Sequence, residues 1–144
     1  MRTIVLATGG FDPVHSGHIA YFKNASQLGD VLIVGINSDS WLINKKQKAF
    51  MSWNERNEVI SNLKMVNLTI DFEDDELGSA ANAIKKVRDM FPNDKIVFAN
   101  GGDRTQTNIS EMSIQDENLE FVFGVGGEDK KNSSSWILKK WKED

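Results

Sequence analysis

The chain has 144 residues, enough for one domain with a hydrophobic core, and an ordinary apolar content that argues against global disorder. A net charge of −4 disfavours general nucleic-acid binding, and the absence of cysteine excludes disulfides and thiolate chemistry and suits a reducing cytoplasm. No apolar run is long enough to cross a membrane, and the N-terminus lacks the basic stretch and long apolar stretch of a secretory leader, so a cytoplasmic location is expected.

Residues 3–8 are an apolar run that predicts a first strand. It leads into Gly9-Gly10-Phe11-Asp12-Pro13-Val14-His15-Ser16-Gly17-His18, which holds both histidines of the chain. A helix is expected over residues 17–28, with Ile19, Phe22 and Ala25 inward and Gly29 as its stop. Residues 31–36 read as a fully buried strand, continuous in the manner of parallel sheets. Asn37-Ser38-Asp39-Ser40 starts a short helix or turn. Residues 44–51 contain Lys45, Lys46 and Lys48 without clear periodicity and predict a mobile loop.

Ser52-Trp53-Asn54-Glu55 is a capping box, opening a helix with Val59, Ile60 and Leu63 inward. A strand over 66–72 and an acidic helix start over 73–76 follow. Ala80, Ala81, Ile84 and Val87 recur at helical spacing, and Pro92 closes that segment. Residues 95–99 predict a strand ending in Asn100-Gly101-Gly102-Asp103, and residues 119–123 predict the last strand. After a glycine-rich loop, Ser133-Ser134-Ser135 cap a terminal helix running to about residue 141.

This alternation predicts an α/β fold: one domain over residues 1–144, a Rossmann-like parallel sheet of five strands in the order 3-2-1-4-5, and helices on both faces. Ligands of such sheets bind at the carboxyl ends of the strands. Three loops lie there: 9–18, 100–104 and 124–135. The first joins a strand end, a glycine turn and a helix N-terminus, an arrangement that binds anions. His15 and His18 add donors for a phosphate, and Gly17 lets backbone approach it. The alternative for His18 is simple helix capping, and a zinc shared by the two histidines would need carboxylates to complete it. Asp103 suits ribose hydroxyls and Arg104 a phosphate, unless the turn only carries solvated charges. Ser133, Ser134 and Ser135 offer hydroxyls and amides to phosphates, or only a cap. The lysines either close over a phosphate or are merely solvated. Trp41, Trp53, Trp136 and Trp141 read as packing residues.

Gly10-Phe11-Asp12 followed by His15-x-Gly17-His18 resembles the nucleotidyltransferase superfamily of cytidylyltransferase-like folds. Its members join a nucleoside monophosphate to a phosphorylated small molecule and release pyrophosphate. Leu28-Gly29-Asp30, the run from Val34 to Asp39, and Ser52 to Arg56 are similar to the sugar-phosphate and polyol-phosphate branch. Phe72-Glu73-Asp74-Asp75 and Gly101-Gly102-Asp103 look most like the heptose 1-phosphate adenylyltransferases, and the three serines match the Ser-Thr-Thr that opens the last helix. Glycerol 3-phosphate cytidylyltransferases carry Lys-x-Lys-Lys where this chain has Lys45-Lys46-Gln47-Lys48, so Lys45 and Lys48 match and Gln47 does not. Their Arg-Thr-Glu-Gly-Ile is replaced by Glu128-Asp129-Lys130-Lys131-Asn132. The phosphate-binding arginine is thereby absent, and the acidic pair favours ATP over CTP.

The resemblance implies catalytic roles for His15, His18 and Lys45. Nucleotide contacts fall to Thr8, Gly9, Gly10, Phe11, Gly17, Gly102, Asp103, Ser133, Ser134 and Ser135, and acceptor contacts to Asp12, Asp39, Lys48, Arg56 and Arg104. No metal ligand set is expected from the protein; Mg²⁺ would arrive with the nucleoside triphosphate. The expected partners are that triphosphate, a phosphorylated small molecule and a second copy of the chain, with neither nucleic acid nor membrane. A cytidylyltransferase using CTP, or a nucleotide-binding module without catalysis, are the alternatives.

Overall fold

A computed structural model of the chain describes residues 1–102, 109–126 and 134–142. Five strands, β1 (Thr3–Gly9), β2 (Val31–Ile36), β3 (Leu68–Ile70), β4 (Lys95–Gly101) and β5 (Leu119–Val125), form one sheet in the order β3-β2-β1-β4-β5. Every pairing is parallel. The expected topology is therefore the observed one. Five helices accompany the sheet: α1 (Ser16–Ser26), α2 (Asp39–Lys46), α3 (Trp53–Ser61), α4 (Ala81–Met90) and α5 (Ser134–Lys142).

Side chains that alternate along β1 divide the core in two. Ile4 and Leu6 pack with Ile33, Phe98 and the α4 residues Ala83, Ile84 and Val87. Val5 and Ala7 face the other way, toward Phe22 and Ala25 of α1 and Ile60 of α3. Both faces of the central strands are thus covered, which is why those strands read as unbroken apolar runs. No helix among the described residues is long and apolar enough to cross a membrane.

Three local expectations change. The segment read as a mobile loop begins as helix: α2 continues through Lys46, and Gln47 ends it in the left-handed region at φ 75°. In α3 the buried face runs through Arg56 and Ile60, one turn apart, and leaves Val59 exposed. The acidic run 73–76 does not start α4. Gly78, at φ +67°, turns the chain first, and the amide of Ala80, just before α4, donates to the buried Glu111 carboxylate at 2.6 Å.

Candidate active site

β1 lies between β2 and β4, so the chain leaves its carboxyl end beside the ends of both neighbours. The exit is shaped by Phe11, which takes a left-handed φ of 54°. Its ring folds back over the strand end, where a Cβ on Gly9 would approach it to 2.8 Å. That ring meets His18 edge-on with centroids 4.9 Å apart and Phe22 at 5.1 Å. Phe11 is 5% exposed, so it serves as a wall behind the imidazole.

The two histidines cap α1 reciprocally. His15 is the N-cap, and its Nδ1 accepts from the Gly17 amide at 3.0 Å. The His15 amide donates to His18 Nδ1 at 3.2 Å. The rings stack, with centroids 3.8 Å apart and planes 25° from parallel. Capping and phosphate binding are therefore compatible roles. With Nδ1 accepting from backbone, each neutral ring carries its proton on Nε2. Burial, reinforced by the neighbouring His15, pushes the His18 pKa down to about 3. His18 is thus a neutral N–H donor at pH 7. The Gly17 amide, expected to meet a phosphate, is occupied by His15.

Three residues expected to touch substrate take part in the frame of the loop. Arg56 is 1% exposed. It donates to the carbonyls of Met51 (3.1 Å), Gly10 (2.8 Å) and Asn37 (2.7 Å), and to Asp39 Oδ1 at 2.7 Å. Arg56 therefore ties the turn after β1 to the turn after β2, and Asp39 is its counter-ion. Asp12, also buried, accepts from the amides of Phe50 and Met51 at 2.6 Å each and pairs with Lys46 at 2.9 Å. Lys46 also donates to the Asp12 carbonyl at 2.7 Å.

The lysine that reaches the histidine loop is therefore Lys46. Lys45 is exposed, with its ammonium 4.7 Å from the centre of the Trp41 ring. The two point apart because α2 extends through both, and successive helical residues are turned by about 100°. The Trp41–Lys45 spacing of one helical turn was the available sequence signal.

Thr8 is half-buried beside Gly35 of β2. Gly10 faces Leu42 and Trp41 of α2, and Gly102 is exposed beyond β4. Lys48 is exposed on the α2–α3 connection. Ser134 donates its hydroxyl to the Pro13 carbonyl at 2.7 Å, which docks the start of α5 on the histidine loop. Asp103, Arg104 and Ser133 lie outside the described residues, as does the side chain of Ser135.

Two further residues of this rim carry no role in the sequence reading. Tyr21 of α1 donates to the Ala99 carbonyl, linking the histidine helix to β4. Asn100, 1% exposed, donates to the carbonyls of Phe98 and Val122, while its Oδ1 has no hydrogen-bond partner among the described residues. Among the described residues no group of three His, Asp or Glu side chains is placed to hold a metal ion.

The family model for cytidylyltransferase-like proteins matches residues 6–121, from β1 into β5. The chain belongs to that family. Among relatives of this cytidylyltransferase-like chain, the bifunctional protein HldE of Helicobacter pylori strain 26695 is 29% identical over 145 residues, which cover 98% of this chain and 28% of that one. HldE of Geobacter sulfurreducens is 26% identical over 148 residues, with 99% and 28% covered. The chain thus spans little more than a quarter of the length of these relatives. Among solved structures, a lipopolysaccharide core biosynthesis protein from Thermoplasma volcanium is 28% identical with a TM-score of 0.62, covering 85% of this chain and 96% of that one. A bifunctional NMN adenylyltransferase/ADP ribose pyrophosphatase from Francisella tularensis shares the fold, with a TM-score of 0.70 at 17% identity over 100% of this chain and 43% of that one.

Proposed function

We propose that the protein is a nucleotidyltransferase that moves AMP, in preference to CMP, from its triphosphate onto a phosphorylated sugar or polyol. The observation that carries this reading is the stacked imidazole pair at the rim of the sheet, with both Nδ1 atoms turned to backbone. An acceptor phosphate oxygen attacks the α-phosphorus in line and forms the new P–O bond. The bond from that phosphorus to the bridging oxygen breaks, and its electron pair leaves with pyrophosphate. The Nε2–H groups of His15 and His18 donate to charge growing on the α- and β-phosphates, and the α1 N-terminus adds its dipole. Both rings are held before substrate arrives, so little reorganisation is needed.

Lys46 neutralises Asp12, so the only carboxylate of the histidine loop does not repel a polyanion. Asp12 is also occupied by two amides, so Mg²⁺ would be held by phosphate oxygens and water, where it neutralises triphosphate charge. The preference for adenine rests on Glu128 and Asp129, which resemble the heptose 1-phosphate adenylyltransferases, and on the similarity to HldE proteins. The same resemblance supports a homodimer, which light scattering on a sizing column tests.

The test is a matrix of four nucleoside triphosphates against sugar phosphates and polyol phosphates, read by pyrophosphate formation. ATP with a sugar 1-phosphate should give the fastest release. CTP with glycerol 3-phosphate as the best pair would transfer the assignment to the cytidylyltransferases. Tight nucleotide binding without pyrophosphate from any acceptor would leave a non-catalytic binding module.

A further inference from the structure

A groove of about 340 Å³ lies between the α2–α3 connection and the last turns of α5. Lys46, Lys48, Lys139 and Lys142 line it, together with Phe50 and Trp141. Lys46 is paired with Asp12. Lys48, Lys139 and Lys142 have no ion pair among the described residues. In a chain of net charge −4, several cations gathered on one cleft repel one another, and a bound anion relieves that repulsion. Phe50 is 53% and Trp141 71% exposed, so the cleft also offers apolar faces to a carbon skeleton.

Two contacts connect the walls of this groove to the histidine loop. Lys46 is bonded to Asp12 on one wall, and Ser134 holds the start of α5 against Pro13. From Ser134, Lys139 and Lys142 lie about 8 and 12 Å along the helix at 1.5 Å per residue. Each wall of the groove is thus tied to the loop that carries the imidazoles, one through Lys46 and the other through the start of α5.

We infer that this groove is a subsite for a second anionic group, a phosphate or carboxylate, on the part of the acceptor remote from its reacting phosphate. The inference rests on the nucleotidyltransfer reading and narrows the acceptor class to doubly anionic sugars or polyols.

Glucose 1-phosphate, glucose 1,6-bisphosphate and glucuronic acid 1-phosphate serve as probes, with wild type, Lys139→Gln/Lys142→Gln and Trp141→Phe proteins. Without nucleotide, the two doubly anionic probes should change tryptophan emission at concentrations about tenfold below glucose 1-phosphate, and Trp141→Phe should remove the change. The double lysine variant should raise Kd and KM for those probes about tenfold, with kcat unaltered and the KM for glucose 1-phosphate unmoved. Added salt should weaken their binding in wild type more than in the variant. Equal responses to all three probes, or no response that depends on Trp141, overturn the inference. Pyrophosphate release that is indifferent to the second anion overturns it while leaving nucleotidyltransfer intact. Binding of the doubly anionic probes with no pyrophosphate from any acceptor overturns nucleotidyltransfer, and the acceptor assignment falls with it.

Discussion

Two groups of cations flank the histidine loop, and they serve opposite ends. Arg56 and Lys46 face inward. Their donors go to carbonyls of the loops and to Asp39 and Asp12, so their charge holds backbone in place. Lys48, Lys139 and Lys142 line an open cleft and take part in no ion pair among the described residues. All five are ordinary basic residues in the sequence. What separates them is whether a carbonyl-rich turn closes around the charge. A basic residue beside the histidine loop is therefore assigned by its acceptors and not by its proximity.

The comparison is tested most severely by Arg56→Ala. It removes a fully buried guanidinium and leaves three carbonyls and Asp39 without their donor. Denaturant unfolding should show a loss of about 3–5 kcal/mol. A loss below 1 kcal/mol, about the value of an exposed pair, would return Arg56 to the surface group.

The next effect is on rate. His18→Ala should lower turnover by roughly a hundredfold, the range for losing one donor to a developing charge. It also removes the acceptor for the His15 amide, so His18→Asn should recover part of the helix cap while remaining slow. Normal pyrophosphate release by either variant would dismiss His18 from the chemistry.

The two adjacent lysines provide a paired experiment. Lys46→Met leaves the Asp12 carboxylate buried without its counter-ion, and should cost about 1–3 kcal/mol of stability. Lys48→Met should stay within about 0.5 kcal/mol. Equal losses would erase the distinction between the inward and outward cations.

The last effect is acid sensitivity. The unfolded His18 ring takes its proton near pH 6.5, whereas the native ring, buried and beside His15, resists until about 3. Stability tied to that ring is complete above pH 6.5 and declines as pH falls toward 3, by about 2 kcal/mol at pH 5. The loss should shrink in His18→Ala when the two unfolding curves are compared at pH 7 and pH 5. Nucleotide should raise the ring pKa, which an NMR titration of the imidazole reads directly.

The strand order was legible because β1, β2 and β4 are continuous apolar runs joined by helical segments, and a parallel sheet of that kind leaves few topologies open. His15 and His18 were legible as a pair because a helix cap and an anion site use the same residue spacing. The sequence shows Arg56 at the right end of the sheet but not what holds it there. Its principal partners are the carbonyls of Gly10, Asn37 and Met51, and carbonyls have no residue identity to read. The tether at the start of α4 was hidden for a related reason: Glu111 reaches Ala80 across 31 residues, beyond any local motif. That Lys46 and not Lys45 pairs with Asp12 was hidden because α2 runs one turn further than its polar composition announced.

The Ser134–Pro13 bond joins residues 121 positions apart. The wall it completes comes from the last helix, so the two sides of the crevice are drawn from opposite ends of the chain. Such long-range closure is slow to form. A nucleotide bridging the two sides would act as a clasp on it, raising the melting temperature in proportion to the logarithm of its concentration, so the molecule would report the arrival of its substrate by the firmness of its own fastening.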